Sequence, residues 1–181
     1  MNDQAIRYHG GVGDPNATTE PEQAEAGLDS EELEAWKALV LITQLLPGAL
    51  DRQLQAEVGL PHSDFAVLAA LSSAPGCRLR MTDLAAVVDY SLSRLSHAMN
   101  RIEKEQWVRR EPCKNDKRVY FAVLTARGEA MLAHAAPGHV AHVRRIVFDH
   151  LTRAQIRQLR NIGERILPQL APGQGCETGG A

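Results

Sequence analysis

The stretch MTDLAAVVDYSLSRLSHAMNRIEKEQWVRREPCKNDKRVYFAVLT, Met81 to Thr125, decides the fold, because it reads as helix, turn, helix and hairpin in direct succession. Thr82 is placed to cap a first short helix with Leu84, Ala85, Val87 and Val88 facing inward, and Asp89-Tyr90-Ser91 ends it. In the second helix Leu92, Leu95, Met99 and Ile102 follow at spacings of three, four and three. That puts them on one stripe of a 3.6-residue helix and predicts core burial. The other face carries Ser93, Arg94, Ser96, His97, Asn100 and Arg101, with Ser91 just ahead, all short donors or cations and none a carboxylate. Such a face suits duplex DNA. Serines let the backbone come close, and Arg, Asn and His offer hydrogen bonds to base edges and phosphates in a major groove.

Beyond Trp107 the period changes. Val108-Arg109-Arg110 and Arg118 through Leu124 read as extended segments around a basic tip, Pro112 to Lys117, and Cys77 to Arg80 supplies a short third strand. The fold class expected is mainly α with a small β hairpin or three-stranded wing sheet. It is a winged helix-turn-helix flanked by long helices, with the hairpin placed to reach phosphates or the minor groove.

The run DKRVYFAVLT, Asp116 to Thr125, resembles the wing signature of the MarR family of transcriptional regulators, an Asp, an Arg two residues later and a strand ending in Leu-Thr. The helix pair ahead of it resembles that family's, and Gly128, three residues past Thr125, also fits its pattern. The resemblance implies a homodimer that binds a pseudo-palindromic double-stranded DNA operator, usually as a repressor relieved by a ligand or by oxidation. It maps the family's minor-groove wing arginine onto Arg118, supported by Asp116, with Lys114 and Lys117 on phosphates. The departure is at the tip, where this chain has Lys117 before Arg118 and Val119 after it. It also implies a small-molecule effector, bound between dimerisation helices and reader, for which Trp36, His62 and Phe65 are the candidate lining residues. The simpler reading of these three is ordinary core and helix-start residues.

Composition is that of an ordinary globular protein, 44% hydrophobic and 23% charged, with a net charge of −2. The distribution is less ordinary. Arg78 to Arg127 holds eleven Lys or Arg against six Asp or Glu, a net +5, which leaves −7 for the rest. Phosphate attraction acts over a screening length of roughly 10 Å at moderate salt, so local charge outweighs global acidity.

Residues 1–28 and 171–181 are rich in small and polar residues and are expected to be flexible tails. Residues 29–170 form one winged-helix domain, with dimerisation helices at 29–59 and 126–170 around a reader at 61–125. Asp29 and Glu32 suggest a capping pair for a long first helix, with a kink or break at Pro47-Gly48 near Leu46. Pro61 opens a helix bearing Phe65, Leu68, Ala69 and Leu71. After Thr125 a helix meets Pro137-Gly138, where a bend is expected, and Thr152 with Gln155 caps a last helix striped with Ile156, Leu159, Ile162, Ile166 and Leu170. The apolar surface of the first and last two helices exceeds what one small domain can cover, which points to a two-fold dimer. No signal peptide is evident, and no segment is expected to approach the roughly 20 apolar residues of a membrane span, so a cytoplasmic protein without membrane contact is expected.

Neither GxSxG, P-loop, Gly-rich dinucleotide turn nor HExxH is present, and neither an enzyme nor a cofactor is expected. Cys77, Cys113 and Cys176 have no zinc-finger spacing. Cys113, between Arg110 and Lys114, is the sensor candidate among them, against the simpler reading of an inert thiol. His134, His139 and His142 invite a metal reading, against a solvated or interface role. Two alternatives stay open, a redox- or metal-responsive regulator of the same fold and a winged helix kept for protein contact without DNA reading.

Overall fold

The computed structural model describes residues 27–113, 116 and 118–170. The chain divides into two compact units, Met1–Val40 and Leu41–Ala181. Helix α1, Ser30–Val58, begins in the first and ends in the second.

Of the first unit the described part is the opening of α1. The Asp29 N–H donates to Glu32 Oε2 at 3.0 Å and the Glu32 N–H to Asp29 Oδ1 at 2.8 Å, the reciprocal capping expected from the sequence. Trp36 stands 53% exposed on this stretch. The tails expected at 1–28 and 171–181 lie, apart from Gly27 and Leu28, outside the described residues.

Two expectations about α1 are corrected. Of the kink or break expected at Pro47, the break is overturned, because Pro47 sits inside one uninterrupted helix. An interior proline removes one hydrogen bond at a cost of about 3 kcal/mol, and helix-forming runs on both sides carry the helix through. By length and composition α1 is also apolar enough to cross a membrane, its best window averaging a mean hydropathy of 1.2. The reason is local, because Leu39 to Leu46 gathers apolar residues with few charges between them.

The second unit begins with the rest of α1. Gly59, at φ 66°, turns the chain, and the Leu60 N–H reaches back to Leu54 O at 3.4 Å so that both leucines are buried. Then follow α2 (His62–Ser73), β1 (Arg78–Arg80), α3 (Met81–Val87), α4 (Leu92–Lys104), β2 (Val108–Pro112), β3 (Tyr120–Leu124), α5 (Ala126–Ile146) and α6 (Arg153–Leu170). The strands pair antiparallel in the order β1-β3-β2, with Leu79 opposite Ala122 and Arg110 opposite Ala122 from the other side. The core is formed by Leu54, Leu68 and Leu71 with Leu84, Leu95 and Met99, each fully buried.

Details of the helix-turn-helix differ from expectation. Helix α3 starts at Met81, so Thr82 lies inside it and its hydroxyl bonds Asp83 Oδ1 at 3.1 Å instead of capping. Val87 is 63% exposed and Leu92 58% exposed, because each ends or begins its helix beside the Asp89 turn and projects past the core. Ala98 takes the buried place on α4, beside Leu95, Met99 and Ile102. Helix α5 runs unbroken through Pro137, and Thr152 and Gln155 form the expected capping box of α6.

The Leu-Thr-x-x-Gly pattern has a mechanical explanation. Thr125 Oγ1 donates to Gln106 O at 2.7 Å and accepts from the Gly128 N–H at 3.1 Å, which ties the start of α5 to the turn before the wing. A Cβ on Gly128 would lie 2.1 Å from Trp107 O and 2.7 Å from Leu124 Cδ1, so only glycine lets the helix approach this closely. Gly128→Ala is expected to destabilise the protein by about 1–3 kcal/mol, read as a lower urea midpoint at unchanged slope; an unchanged midpoint would refute the close approach.

Candidate nucleic-acid interface

Helix α4 owes its orientation to its two faces. Leu95, Ala98, Met99 and Ile102 are buried to within 1%, which leaves Ser93, Arg94, Ser96, His97, Asn100 and Arg101 exposed. Ser91 is the N-cap, its hydroxyl accepting from the Arg94 N–H at 3.1 Å. Ser63, Ser91, Ser93, Arg94, His97 and Arg101 together line an open concavity. The structure thus brings Ser91, Ser93, Arg94, His97 and Arg101 to one surface, while Ser96 is exposed without lining it.

Asp64 and Ser63, from α2, are functional neighbours that the sequence reading missed. Asp64 is 2% exposed, and Arg101 meets its carboxylate from above, Nε to Oδ2 at 3.1 Å and Nη2 to Oδ1 at 2.5 Å, with Nη2 also 3.2 Å from Ser63 Oγ. The hydrogen bond to Asp64 raises the guanidinium's pKa further. Asp64 in the first turn of a helix is indistinguishable in sequence from an ordinary N-terminal acid, so no local signal marks it as the partner of a residue 37 positions on. Arg101 therefore braces α4 on α2 as well as facing outward.

Arg110 is committed inside the protein. Its Nη1 lies 2.9 Å from Glu103 Oε2, its Nη2 donates to Asn100 Oδ1 at 3.1 Å, and its backbone N–H donates to Glu103 Oε1 at 3.0 Å, which fastens β2 to α4. Arg109 pairs with Glu111 at 2.7 Å on the exposed strand face.

Arg94 is held differently. Its guanidinium carbon sits 4.0 Å from the centre of the Tyr90 ring, a stacked cation–π contact. Burial pushes the Tyr90 phenol up, with Arg94 pulling the other way.

In the wing, Asp116 accepts from Arg118 three times, from the backbone N–H at 2.9 Å, Nε at 3.1 Å and Nη2 at 3.2 Å. These bonds hold the Asp116 carboxyl below its ordinary value and aim a side chain that is 91% exposed. Lys114 and Lys117 lie outside the described residues.

Two of the three proposed crevice residues come together. His62 and Phe65 meet at His139, with ring centres 5.9 Å and 4.5 Å from it, and His139 Nδ1 is 3.4 Å from Gln53 Oε1. Trp36 belongs to the first unit. His142 Nδ1 lies 2.8 Å from Arg145 Nη2, and among the described residues no three His, Cys, Asp or Glu side chains converge as metal ligands. Cys77 and Cys113 are both half-buried, and Cys176 lies outside the described residues.

Burial lowers the pKa of both His62 and His139 below 6.5, with Asp51 opposing the shift at His62. On acidification the unfolded chain takes up these protons first, so the contribution to stability is full above 6.5 and is lost as pH falls toward the folded-state values. The urea midpoint is expected to drop between about pH 7.5 and about pH 5.5, and to drop less in His139→Asn; equal drops would rule the pair out as the cause. Arg101→Ala, which strands the buried Asp64 carboxylate, is expected to cost about 1–3 kcal/mol, and Asp64→Ala in the same chain should recover part of that loss in a double-mutant cycle.

A MarR family model matches residues 58–119, from the end of α1 to the wing. Among solved structures, Sco3205, a MarR family transcriptional regulator from Streptomyces coelicolor in complex with DNA, is 44% identical, with a TM-score of 0.77 over 82% of this chain and 97% of its own. AbsC, a MarR family transcriptional regulator from the same organism, is 39% identical, with a TM-score of 0.74 over 80% of this chain and 97% of its own. The HTH-type transcriptional repressor YetL of Bacillus subtilis (strain 168) is 23% identical over 82% of this chain and 90% of its own length. With relatives this similar along nearly their whole length, and with the helix pair and wing in place, the chain belongs to the MarR family of winged-helix DNA-binding transcriptional regulators, which are not enzymes.

Proposed function

We propose that this regulator acts in the cytoplasm as a homodimeric repressor of a pseudo-palindromic operator and releases it on binding a small molecule. The observation that carries the DNA reading is the donor-rich surface of α4, with Arg94 and Arg101 on one concavity and the Asp116-aimed Arg118 on the wing. In this reading Arg94 takes base edges in the major groove, Ser91, Ser93, Ser96 and His97 contact bases or phosphates beside it, and Arg118 enters the minor groove or meets phosphate. Lys114 and Lys117 add phosphate contacts. The DNA complex of Sco3205 supports the same reading by relatedness, and the name of YetL supports repression.

The dimer reading rests on apolar surface. Leu41, Ile42 and Leu45 on α1 are 55%, 58% and 68% exposed, and Leu159, Ile162 and Leu170 on α6 are 50%, 53% and 71% exposed. A soluble monomer rarely leaves this much aliphatic surface in water, and a two-fold partner covers it while spacing two reader helices about one DNA turn apart. The apolar stretch of α1 is accordingly read as dimer surface, not as a membrane span. The place for an effector is the group of His62, Phe65 and His139 between α2 and α5, where a ligand would couple the reader to the dimerisation helices.

Selection from a random duplex library with the full-length protein is expected to enrich a palindrome with half-sites about one turn apart, bound with a steep salt dependence. No enrichment, with affinity unaffected by salt, would favour protein contact over DNA reading. Arg118→Ala is expected to weaken binding to every duplex and to reduce the slope of log affinity against log salt by about 1 per protomer; an unchanged slope would take Arg118 off the DNA.

A further inference from the structure

Among the described arginines that face the concavity or its edge, the donors are differently committed. Arg101 gives Nε and Nη2 to Asp64 and Ser63, and Arg110 gives its guanidinium to Glu103, Asn100 and the Ser96 carbonyl. Arg94 instead sets its guanidinium over Tyr90, with the guanidinium carbon 4.0 Å from the ring centre. A cation–π contact of this kind spends the guanidinium's charge on the ring without using up N–H donors on a carboxylate or carbonyl. Tyr90 is itself fixed. It precedes the N-cap Ser91, its backbone N–H donates to Ala85 O at 2.9 Å, and its half-buried ring packs against the core.

We propose that Tyr90 is a positioning residue for base recognition: its ring fixes the plane of the Arg94 guanidinium so that the free edge meets O6 and N7 of a guanine in the operator. This rests on the DNA reading above. Bidentate recognition of guanine needs both donors in one plane at one angle, and a flexible arginine loses several rotamers on reaching it. Tyr90 removes that search before DNA arrives, at the same turn whose serine cap sets the start of the helix. A residue that merely filled space at position 90 would support affinity for all duplexes alike. A residue that orients Arg94 supports discrimination, and does so only while Arg94 is present.

The test uses the full-length protein and its selected operator. Each guanine of a half-site is replaced in turn by 7-deazaguanine, which lacks the N7 acceptor, and affinities are measured for wild type, Arg94→Ala, Tyr90→Met, Tyr90→Phe and the Arg94→Ala/Tyr90→Met pair. Wild type should lose affinity at one guanine, and Arg94→Ala should be blind to that replacement. Tyr90→Met should shrink the discrimination by about 2- to 30-fold, the range of a partly to fully desolvated cation–π contact. Tyr90→Phe should restore it, and Tyr90→Met should have no further effect on the Arg94→Ala background. Tyr90→Leu replaces Tyr90→Met if the latter does not fold. Wild-type discrimination in Tyr90→Met, or equal losses on operator and random duplex, would overturn the proposal while leaving the DNA reading intact. If wild type enriches no sequence at all, the DNA reading fails and the proposal falls with it.

Discussion

Burial of Leu95, Ala98, Met99 and Ile102 on one side of α4 is the constraint on which the rest depends. Once those four are out of water the helix cannot rotate, and every donor on its opposite face has a determined direction. The position of the helix along α2 is then secured by an ion pair at the edge of the core. A carboxylate at 2% exposure is costly to bury unless it is paired and hydrogen-bonded, and Arg101 reaches Asp64 to do so. The same contact that satisfies a buried carboxylate therefore sets how far the reader helix stands from the helix beneath it.

The wing is tied to this frame from both ends. Arg110 links β2 to Glu103 and Asn100 on α4, and Thr125 with Gly128 closes the far side by joining the start of α5 to the Gln106 turn. Between these anchors β3 pairs with both other strands. Arg118 projects from the hairpin end, guided by Asp116. The arginines of the reader thus differ in what has taken their donors: Arg101 and Arg110 are bonded to other elements of the fold, whereas Arg118 is bonded to its near neighbour Asp116 and stays 91% exposed.

The long helices α1 and α6 follow a different logic. Helix α6 buries none of its residues within the chain, and α1 leaves a run of leucines and isoleucine in solvent. Helix propensity and caps hold such segments only weakly, since most helical stability in proteins comes from packing an apolar face. Their persistence as long helices is what a second subunit would explain.

Much of this was legible in the chain itself. Periodicity, caps and turn residues are local properties, so the Met81–Thr125 order of elements, the capping boxes at Asp29 and Thr152 and the short strand near Arg78 followed from neighbours a few positions apart. So did the segregation of positive charge onto the reader. What the sequence could not determine were pairings between distant residues and the exposure of residues at helix ends. Leu92 fits the apolar stripe by spacing yet stands in solvent, because a stripe position is buried only where another element lies over it. Arg94, Arg101 and Arg110 are chemically alike as letters. Only the tertiary structure, by bringing Tyr90, Asp64 and Glu103 to their guanidinium groups, decided which of them brace the fold and which keeps its donors for a partner.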